Sequence, residues 1–214
     1  YELAAKMAPW HYNHWFFQAS AMIRLGRFEE AADRYAKALS LRPSWPNLER
    51  AIESNGYHIG RKMHPLLLRP TARARLEGET ITVQSDPDSR AWMAHAVCKG
   101  MWLGEPELRK KRTGSTKHAV TMLEETECLV ILLAAHESSR EQQPDPALDR
   151  VLEIARDGYL TELILYEVVG RVSPTTIPTL EEKQLARLHQ FVSRYVLVPS
   201  TETKTNTKAS DLAE

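Results

Sequence analysis

The residues best suited to chemistry begin with His95 and Cys98, in the second half of the chain. Their spacing of three, within a segment of helical periodicity, would let both side chains face one metal ion or form a thiol–imidazole pair. Two ligands do not complete a zinc site, and no Cys-x-x-Cys pair accompanies them. The pattern therefore favours a packed helix with an incidental histidine, and we expect no metal and no cofactor.

A second group of titratable residues consists of Glu124, Glu125 and Glu127, which follow His118. Paired carboxylates of this kind can act as general acid and general base when they face one substrate. Consecutive acids in one helical turn point in different directions, however. A solvated helix face is therefore the favoured interpretation.

A third group, His136 and Glu137, begins like the H-E-x-x-H helix of a zinc protease. The chain continues Ser138-Ser139-Arg140, so the second histidine, which would share the metal from one turn further on, is missing. Polar residues near the end of a helix account for this stretch.

Signatures of common enzyme sites are absent from the sequence. It contains no G-x-G-x-x-G, no G-x-x-x-x-G-K-[ST] and no G-x-S-x-G, the patterns of dinucleotide, P-loop and hydrolase sites. A non-catalytic protein is favoured. The alternative is an enzyme with its active site within residues 87–198, with His95, Cys98 and Glu124 as the first suspects.

The sharpest charge feature is the run Arg109-Lys110-Lys111-Arg112. Such a run can contact phosphates or serve as an import signal. Over the whole chain, however, 28 Lys and Arg residues balance 28 Asp and Glu residues, and no aromatics interleave the run to stack on bases. A solvated loop or a surface for an acidic partner is favoured, and nucleic-acid contact through residues 109–117, which add Lys117 to the run, is the alternative.

Composition sets the wider bounds. The 214 residues, 43% hydrophobic and 26% charged, suit one large or two small globular domains. The longest apolar run, residues 128–135, is far shorter than the roughly 18–20 residues that cross a bilayer. The two cysteines, Cys98 and Cys128, predict buried, reduced thiols in an intracellular protein, so we expect a cytoplasmic location.

The elements that would position these residues begin with a helical hairpin. One helix is predicted from Tyr12 to Leu25, and Gly26 breaks it. A second starts at Phe28 with two acids in its first turn, which complement the helix dipole, and Pro43 stops it. Small residues let the two backbones approach closely, while large ones fill the spaces between hairpins.

This hairpin resembles the tetratricopeptide repeat (TPR), whose pattern is W-x2-L-G-x2-Y, A-x3-F and P. The matching residues are Trp15, Ala19, Met22, Ala31, Tyr35, Ala38 and Pro43. Gln18 and Met22 depart from the pattern. Residues Tyr1, Ala4 and Pro9 precede Tyr35, Ala38 and Pro43 by the TPR period of 34. We therefore expect residues 1–45 to contain the end of one repeat, in a chain that lacks that repeat's first helix, and one whole repeat.

The resemblance implies a groove lined by the first helix of each repeat. The residues of that helix that the packing pattern does not use are Tyr12, Asn13, Phe16, Phe17 and Ser20. Two adjacent aromatics argue against a polar clamp for a carboxylate and favour an apolar or amphipathic peptide or helix. The alternative is that a missing upstream repeat or the C-terminal block covers these rings.

Further along, residues 46–54 predict a helix that caps the repeats, completing a TPR region at 1–54. Residues 55–86 form a linker with an expected β-hairpin, strands near 72–76 and 80–84. Residues 87–198 match no family that we can name, and residues 199–214 predict a disordered tail.

Within the 87–198 block, four helices and one ambiguous segment are predicted. The first starts at Asp86-Pro87 and stops at Gly104. The second runs from Gly114-Ser115 to Arg140 and is apolar nearly all round, which predicts a central position. The third lies between Asp145-Pro146 and Gly158, residues 159–169 favour helix over strand, and the last follows a capping box of Thr179 and Glu182.

The sequence thus predicts a mainly α protein, an end of a TPR solenoid followed by a helical block. The function that it favours is that of a non-catalytic scaffold or adaptor that recognises a protein or peptide. No membrane partner is expected.

Overall fold

The computed structural model describes residues 2–86 and 89–200, with the side chains of Glu2 and Ala5 left aside. Tyr1, Pro87, Asp88 and residues 201–214 of the predicted tail lie outside the described residues. The helices are α1 (Glu2–Met7), α2 (Tyr12–Arg24), α3 (Phe28–Leu41), α4 (Pro46–Ile59), α5 (Arg90–Gly104), α6 (Pro106–Thr113), α7 (Met122–Ser139), α8 (Pro146–Arg156), α9 (Leu160–Ile164), α10 (Gly170–Val172) and α11 (Glu182–Phe191). The strands are β1 (Arg61–Met63), β2 (Ala72–Glu77), β3 (Thr80–Ser85) and β4 (Leu197–Pro199). A mainly helical fold is confirmed.

The predicted hairpin of α2 and α3 is present, with Gly26 in a left-handed conformation (φ 70°) between the two helices. Ala19, Ala31 and Ala38 are each 0% exposed. Because these side chains are small, the helix backbones pack closely. The three alanines are therefore buried in the hairpin, while their role as repeat-packing positions and membership of a repeat family stay predictions.

Helix α4 begins at Pro46, as predicted, but it does not end near residue 54. It continues to Ile59, and Gly60 ends it in a left-handed conformation (φ 63°). Gly56 is a packing position, because a Cβ there would lie 2.8 Å from the carbonyl oxygen of Arg61 in β1. The glycine lets β1 pass close to the helix. Leu48 and Ile52 of α4 are fully buried, and α4 packs on α3.

The β-hairpin predicted between the helices is present as β2 and β3, antiparallel from Ala72–Ser85 to Glu77–Thr80. The hairpin packs on α5, where the side chain of Ile81 lies against two glycines. A Cβ on Gly100 would lie 3.0 Å from the Ile81 side chain, and one on Gly104 would lie 2.7 Å from it.

The single helix predicted from Gly114 to Arg140 is wrong. The basic run lies instead in α6, which begins at Pro106 and ends at Gly114 in a left-handed conformation. Helix α7 starts only at Met122, where the Thr121 hydroxyl accepts a hydrogen bond from the Glu124 N–H (3.2 Å). Gly114 is therefore a helix end and not a helix start.

The prediction of reduced thiols is also wrong, since a disulfide joins Cys98 of α5 to Cys128 of α7 with their Cα atoms 5.4 Å apart. Both cysteines are buried, as expected. Their separation of 30 residues along the chain gave no sign of contact. The two meet because α5 and α7 pack side by side.

The C-terminal part contains two wide helical turns. Residues 159–169 are helical, but the second half, Leu165–Val169, is a π-helical turn, and another, Val192–Val196, follows α11. Helix α11 has a capping box of Glu181 and Gln184, in place of the predicted one, because Ile177–Thr179 forms a 3₁₀ turn.

One buried apolar cluster extends from Ala19 to Leu197 and includes side chains of α3, α4, α7, α8 and α11. Helix α11 packs on α3, and β1 pairs antiparallel with β4. The repeat-like hairpin and the C-terminal block therefore share core contacts. Within the described ranges, no helix has the length and apolar content needed to cross a membrane.

Candidate protein-interaction site

Six large apolar side chains of the two packed helices α5 and α7 are exposed. Met93, Val97 and Met101 follow one another at intervals of four along α5 and are 38%, 48% and 55% exposed. Leu123, Val130 and Ile131 of α7 are also exposed. We call these six residues the α5–α7 face.

A hollow opens beside this face. Its apolar lining comes from Met101, Trp102, Leu108 and Ile131. The charged residues at the same hollow are Lys111, Arg112 and Glu127. Since Met101 and Ile131 belong to both the hollow and the face, we treat the two together as the candidate site.

A charged cluster beneath the surface holds α5 against α7. The ammonium of Lys99 contacts Glu125 Oε1 at 2.6 Å and also pairs with Glu124. The imidazole of His118 approaches Glu124 at 3.3 Å. Glu124 and Glu125 are buried, so the solvated face predicted for them is wrong. The lysine from the neighbouring helix makes their burial tolerable.

The suspected pair of His95 and Cys98 does not form, because Cys98 is bonded to Cys128. His95 lies against Trp92, with ring centroids 5.5 Å apart. Burial, aided by the charge of Lys99, lowers the pKa of His95 from 6.5 to about 4. The imidazole is therefore neutral at pH 7. No group of three or more potential metal ligands occurs within residues 2–86 and 89–200.

His136 and Glu137 separate in the fold. His136 is buried, and its Nε2 lies 2.9 Å from Asp149 Oδ1 on α8. The hydrogen bond to His136 is the largest cause that lowers the pKa of Asp149, and Arg140 adds to it. Glu137 instead pairs with Arg156 at 2.7 Å. Both residues therefore stabilise the packing of α7 against α8.

The basic run divides into a structural part and an exposed part. The guanidinium of Arg109 is buried, and it donates hydrogen bonds to the Thr116 carbonyl (3.0 Å) and the Leu103 carbonyl (2.8 Å). Arg112 pairs with Glu127. Lys110 and Lys111 are exposed and form no ion pair with any other described residue. Arg109 is thus occupied, while the two lysines remain available to an acidic partner.

The groove face of α2 is partly covered by the chain itself. The rings of Tyr12 and Phe16 contact Trp45 edge to face, with centroids 4.8 and 5.0 Å apart. Phe17 is 44% exposed, and Asn13 and Ser20 are partly buried. The alternative given by the sequence was that an upstream repeat or the C-terminal block covers these rings. In the structure Trp45, which lies just before α4, covers the rings of Tyr12 and Phe16.

The large residues of the repeat-like pattern have packing roles. The indole N–H of Trp15 donates to the Pro9 carbonyl at 2.8 Å, and the ammonium of Lys37 lies 4.5 Å from the Trp15 ring. Tyr35 and Met22 are buried. Pro43 is buried against Gly170, where a Cβ would come within 2.8 Å of the proline ring.

The sequence analysis did not predict the exposure of the α5–α7 face. A helix that is apolar nearly all round predicts burial on every side, and on that basis α7 was expected to be central. Its Val130 and Ile131 are exposed instead. The interval of four between Met93, Val97 and Met101 was a signal, because it places a second apolar stripe on α5 beside the one that is buried.

Comparison with known proteins adds no relative: no family model, curated protein or solved structure matches the chain.

Proposed function

We propose that the protein is a non-catalytic recognition module that binds an amphipathic helix carrying acidic residues, and that the partner helix lies along the α5–α7 face. The observation that carries this proposal is the exposure of six large apolar side chains on two adjacent helices. Single exposed hydrophobics are common on protein surfaces, whereas contiguous patches mark interaction sites.

The shape of the site favours a helix as the occupant. Two packed helices leave a groove between them, and side chains at intervals of three and four on a third helix fit such a groove. The hollow with Met101 and Ile131 in its lining would receive one large apolar side chain of the partner. Buried anchors of this kind supply most of the binding energy of many interfaces.

The charge at the rim favours acidic flanking residues on the partner. Arg112 is neutralised by Glu127, but Lys111, which lines the same hollow, and its neighbour Lys110 have no described ion-pair partner. Carboxylates beside the apolar stripe of a bound helix would supply one. This gives the basic run a role in protein recognition and removes the need for a nucleic acid.

The α2 face is a second surface for the same kind of function, as the TPR resemblance implies. Phe17 lies with Ser20, Ala21, Arg24 and Leu25 around a shallow concavity, and Phe17 and Leu25 are exposed. This surface offers fewer exposed apolar residues than the α5–α7 face, so we place the partner on the latter.

Two synthetic peptides test the proposal by isothermal titration calorimetry. Both form an amphipathic helix with the same leucine stripe, one flanked by glutamates and the other by lysines. We expect the acidic peptide to bind and the basic peptide to bind at least about tenfold more weakly. Exchange of charge at Lys110→Glu and Lys111→Glu should reverse that preference.

Variants of the two faces locate the site. Met101→Ser and Ile131→Ser change exposed side chains and should weaken the binding of the acidic peptide at least about tenfold. Phe17→Ala should leave the affinity for this peptide unchanged. The opposite pattern would move the site to α2. Failure of both peptides to bind, or a dimer of the chain that covers the face and is not displaced by peptide, would end the proposal.

A further inference from the structure

A separate pocket opens between α4, β1 and the π-helical turn Leu165–Val169. Its apolar wall is formed by Ile52, Met63 and Leu66. Tyr166 lines it as well, together with the charged residues Glu49, Glu53, Arg61, Lys62 and Arg171. None of these residues belongs to the surfaces described above. A concave site with an apolar wall and a few polar groups is typical of small-ligand sites.

The pocket contains an unpartnered polar group. Tyr166 is 1% exposed, and its hydroxyl makes no hydrogen bond to any residue within the described ranges. Burial, followed by the charge of Glu49, raises the pKa of this phenol. The hydroxyl therefore keeps its proton and is available as a hydrogen-bond donor at the pocket wall.

The wall of the pocket is fixed by hydrogen bonds from behind. The carboxylate of Glu167, on the same π-helical turn, accepts the backbone N–H groups of Leu67 (3.0 Å) and Leu68 (2.8 Å). These bonds hold residues 64–68, which include Leu66 of the lining. On the other side, Gly56 allows β1 to approach α4 within van der Waals contact. The pocket is therefore built before any ligand arrives.

Charges of both signs face this space without neutralising each other. Among the described residues, neither Glu49 nor Arg171 forms a salt bridge, although both act on the pKa of Tyr166. A purely anionic ligand would satisfy Arg171 and be repelled by Glu49. A purely cationic one would do the reverse. A ligand with both charges satisfies each of them.

We propose that this pocket binds a small zwitterion of the α-amino acid class with an apolar side chain. Arg171 and Tyr166 bind its carboxylate, Glu49 binds its ammonium, and Ile52, Met63 and Leu66 contact its side chain. The proposal does not depend on the recognition function of the α5–α7 face.

Calorimetric titration of the whole chain with three matched probes tests it. L-Leucine carries both charges, 4-methylpentanoate lacks the ammonium, and 3-methylbutylamine lacks the carboxylate. We expect leucine to bind and each of the other two to bind at least about tenfold more weakly, because each leaves one partly buried charge of the pocket unpaired. Absence of leucine binding at millimolar concentration, or equal affinity for the three probes, would overturn the proposal.

Two charge-removing variants assign the roles. Arg171→Gln should weaken the binding of leucine at least about tenfold and leave the binding of 3-methylbutylamine unchanged. Glu49→Gln should also weaken the binding of leucine at least about tenfold, but it should leave the binding of 4-methylpentanoate unchanged. Arg73→Gln, on β2, is the matched control. If either variant alters all probes equally, the assigned contact is wrong; if a variant fails to fold by circular dichroism, the three probes on the unaltered chain still decide.

Discussion

At the scale of single residues, burial decides what the titratable groups do. Glu124 and Glu125 are adjacent in sequence and both buried, because Lys99 from α5 reaches both of them. A sequence pattern shows that three acids lie in one turn, but it does not show which of them a neighbouring helix will cover. Glu127, two positions on, is the acid that pairs at the surface, with Arg112.

His95 should make the stability of the protein depend on pH. Its pKa falls from 6.5 to about 4 in the fold, so between these values the unfolded chain binds a proton that the folded chain does not. Stability should therefore decrease as pH is lowered from about 6.5 to about 4, by up to about 3 kcal/mol from this group. Lys99 and Glu124 are the charges that act on it.

Urea denaturation over this pH range measures the effect. His95→Gln should flatten the decline, whereas His11→Gln, at an exposed position, should leave it as in the unaltered chain. An equal slope in all three proteins would assign the pH dependence to other groups.

At the scale of elements, local sequence patterns predicted those elements that form from contacts between residues close in the chain. The α2–α3 hairpin and the β2–β3 hairpin follow from periodicity and turn residues, and both are present. The disulfide, the π-helical turns and the exposure of the α5–α7 face depend on which elements meet, and a single sequence does not give those contacts. Gly114 was assigned to the wrong end of a helix, although glycine is enriched far more strongly after the end of a helix than at its start.

The disulfide should contribute substantially to the pairing of α5 with α7. Cys98 and Cys128 are 30 residues apart, and closing a loop of that size restricts the unfolded chain by about 3–4 kcal/mol in the entropic account. The double variant Cys98→Ala/Cys128→Ala should lose about that amount in urea denaturation. Added reductant should destabilise the unaltered chain and have no effect on the variant. A reductant-insensitive unfolding midpoint in the unaltered chain would contradict this.

The bridge also bears on where the protein works. The expectation of a cytoplasmic location relied on reduced cysteines. Since the two cysteines form a disulfide, and disulfides persist chiefly in oxidising compartments, the cysteines no longer support that expectation.

At the scale of the whole molecule, the repeat-like hairpin and the C-terminal block are joined through α3 and α11. Phe191 of α11 is 1% exposed and contacts the rings of Tyr166 and Tyr195 within the common core. The sequence divided the chain into regions by composition. Composition does not report which regions bury their apolar faces against each other.

Phe191→Ala should therefore destabilise both regions together. We expect a loss of about 3–5 kcal/mol, and hydrogen exchange should show equal loss of protection in α3 and α7. Phe17→Ala, at an exposed position, should change protection little. Retained protection of α3 in the Phe191→Ala protein would mean that the two regions unfold independently.

The pairing of β1 with β4 has a consequence for the order in which the protein is made. Met63 meets Leu197, and more than half of the chain lies between them. During synthesis, β1 leaves the ribosome long before its partner strand exists, and long-range pairing of this kind is slow. The ribbon of β1 and β4, together with the pocket beside it, is therefore completed among the last events of folding.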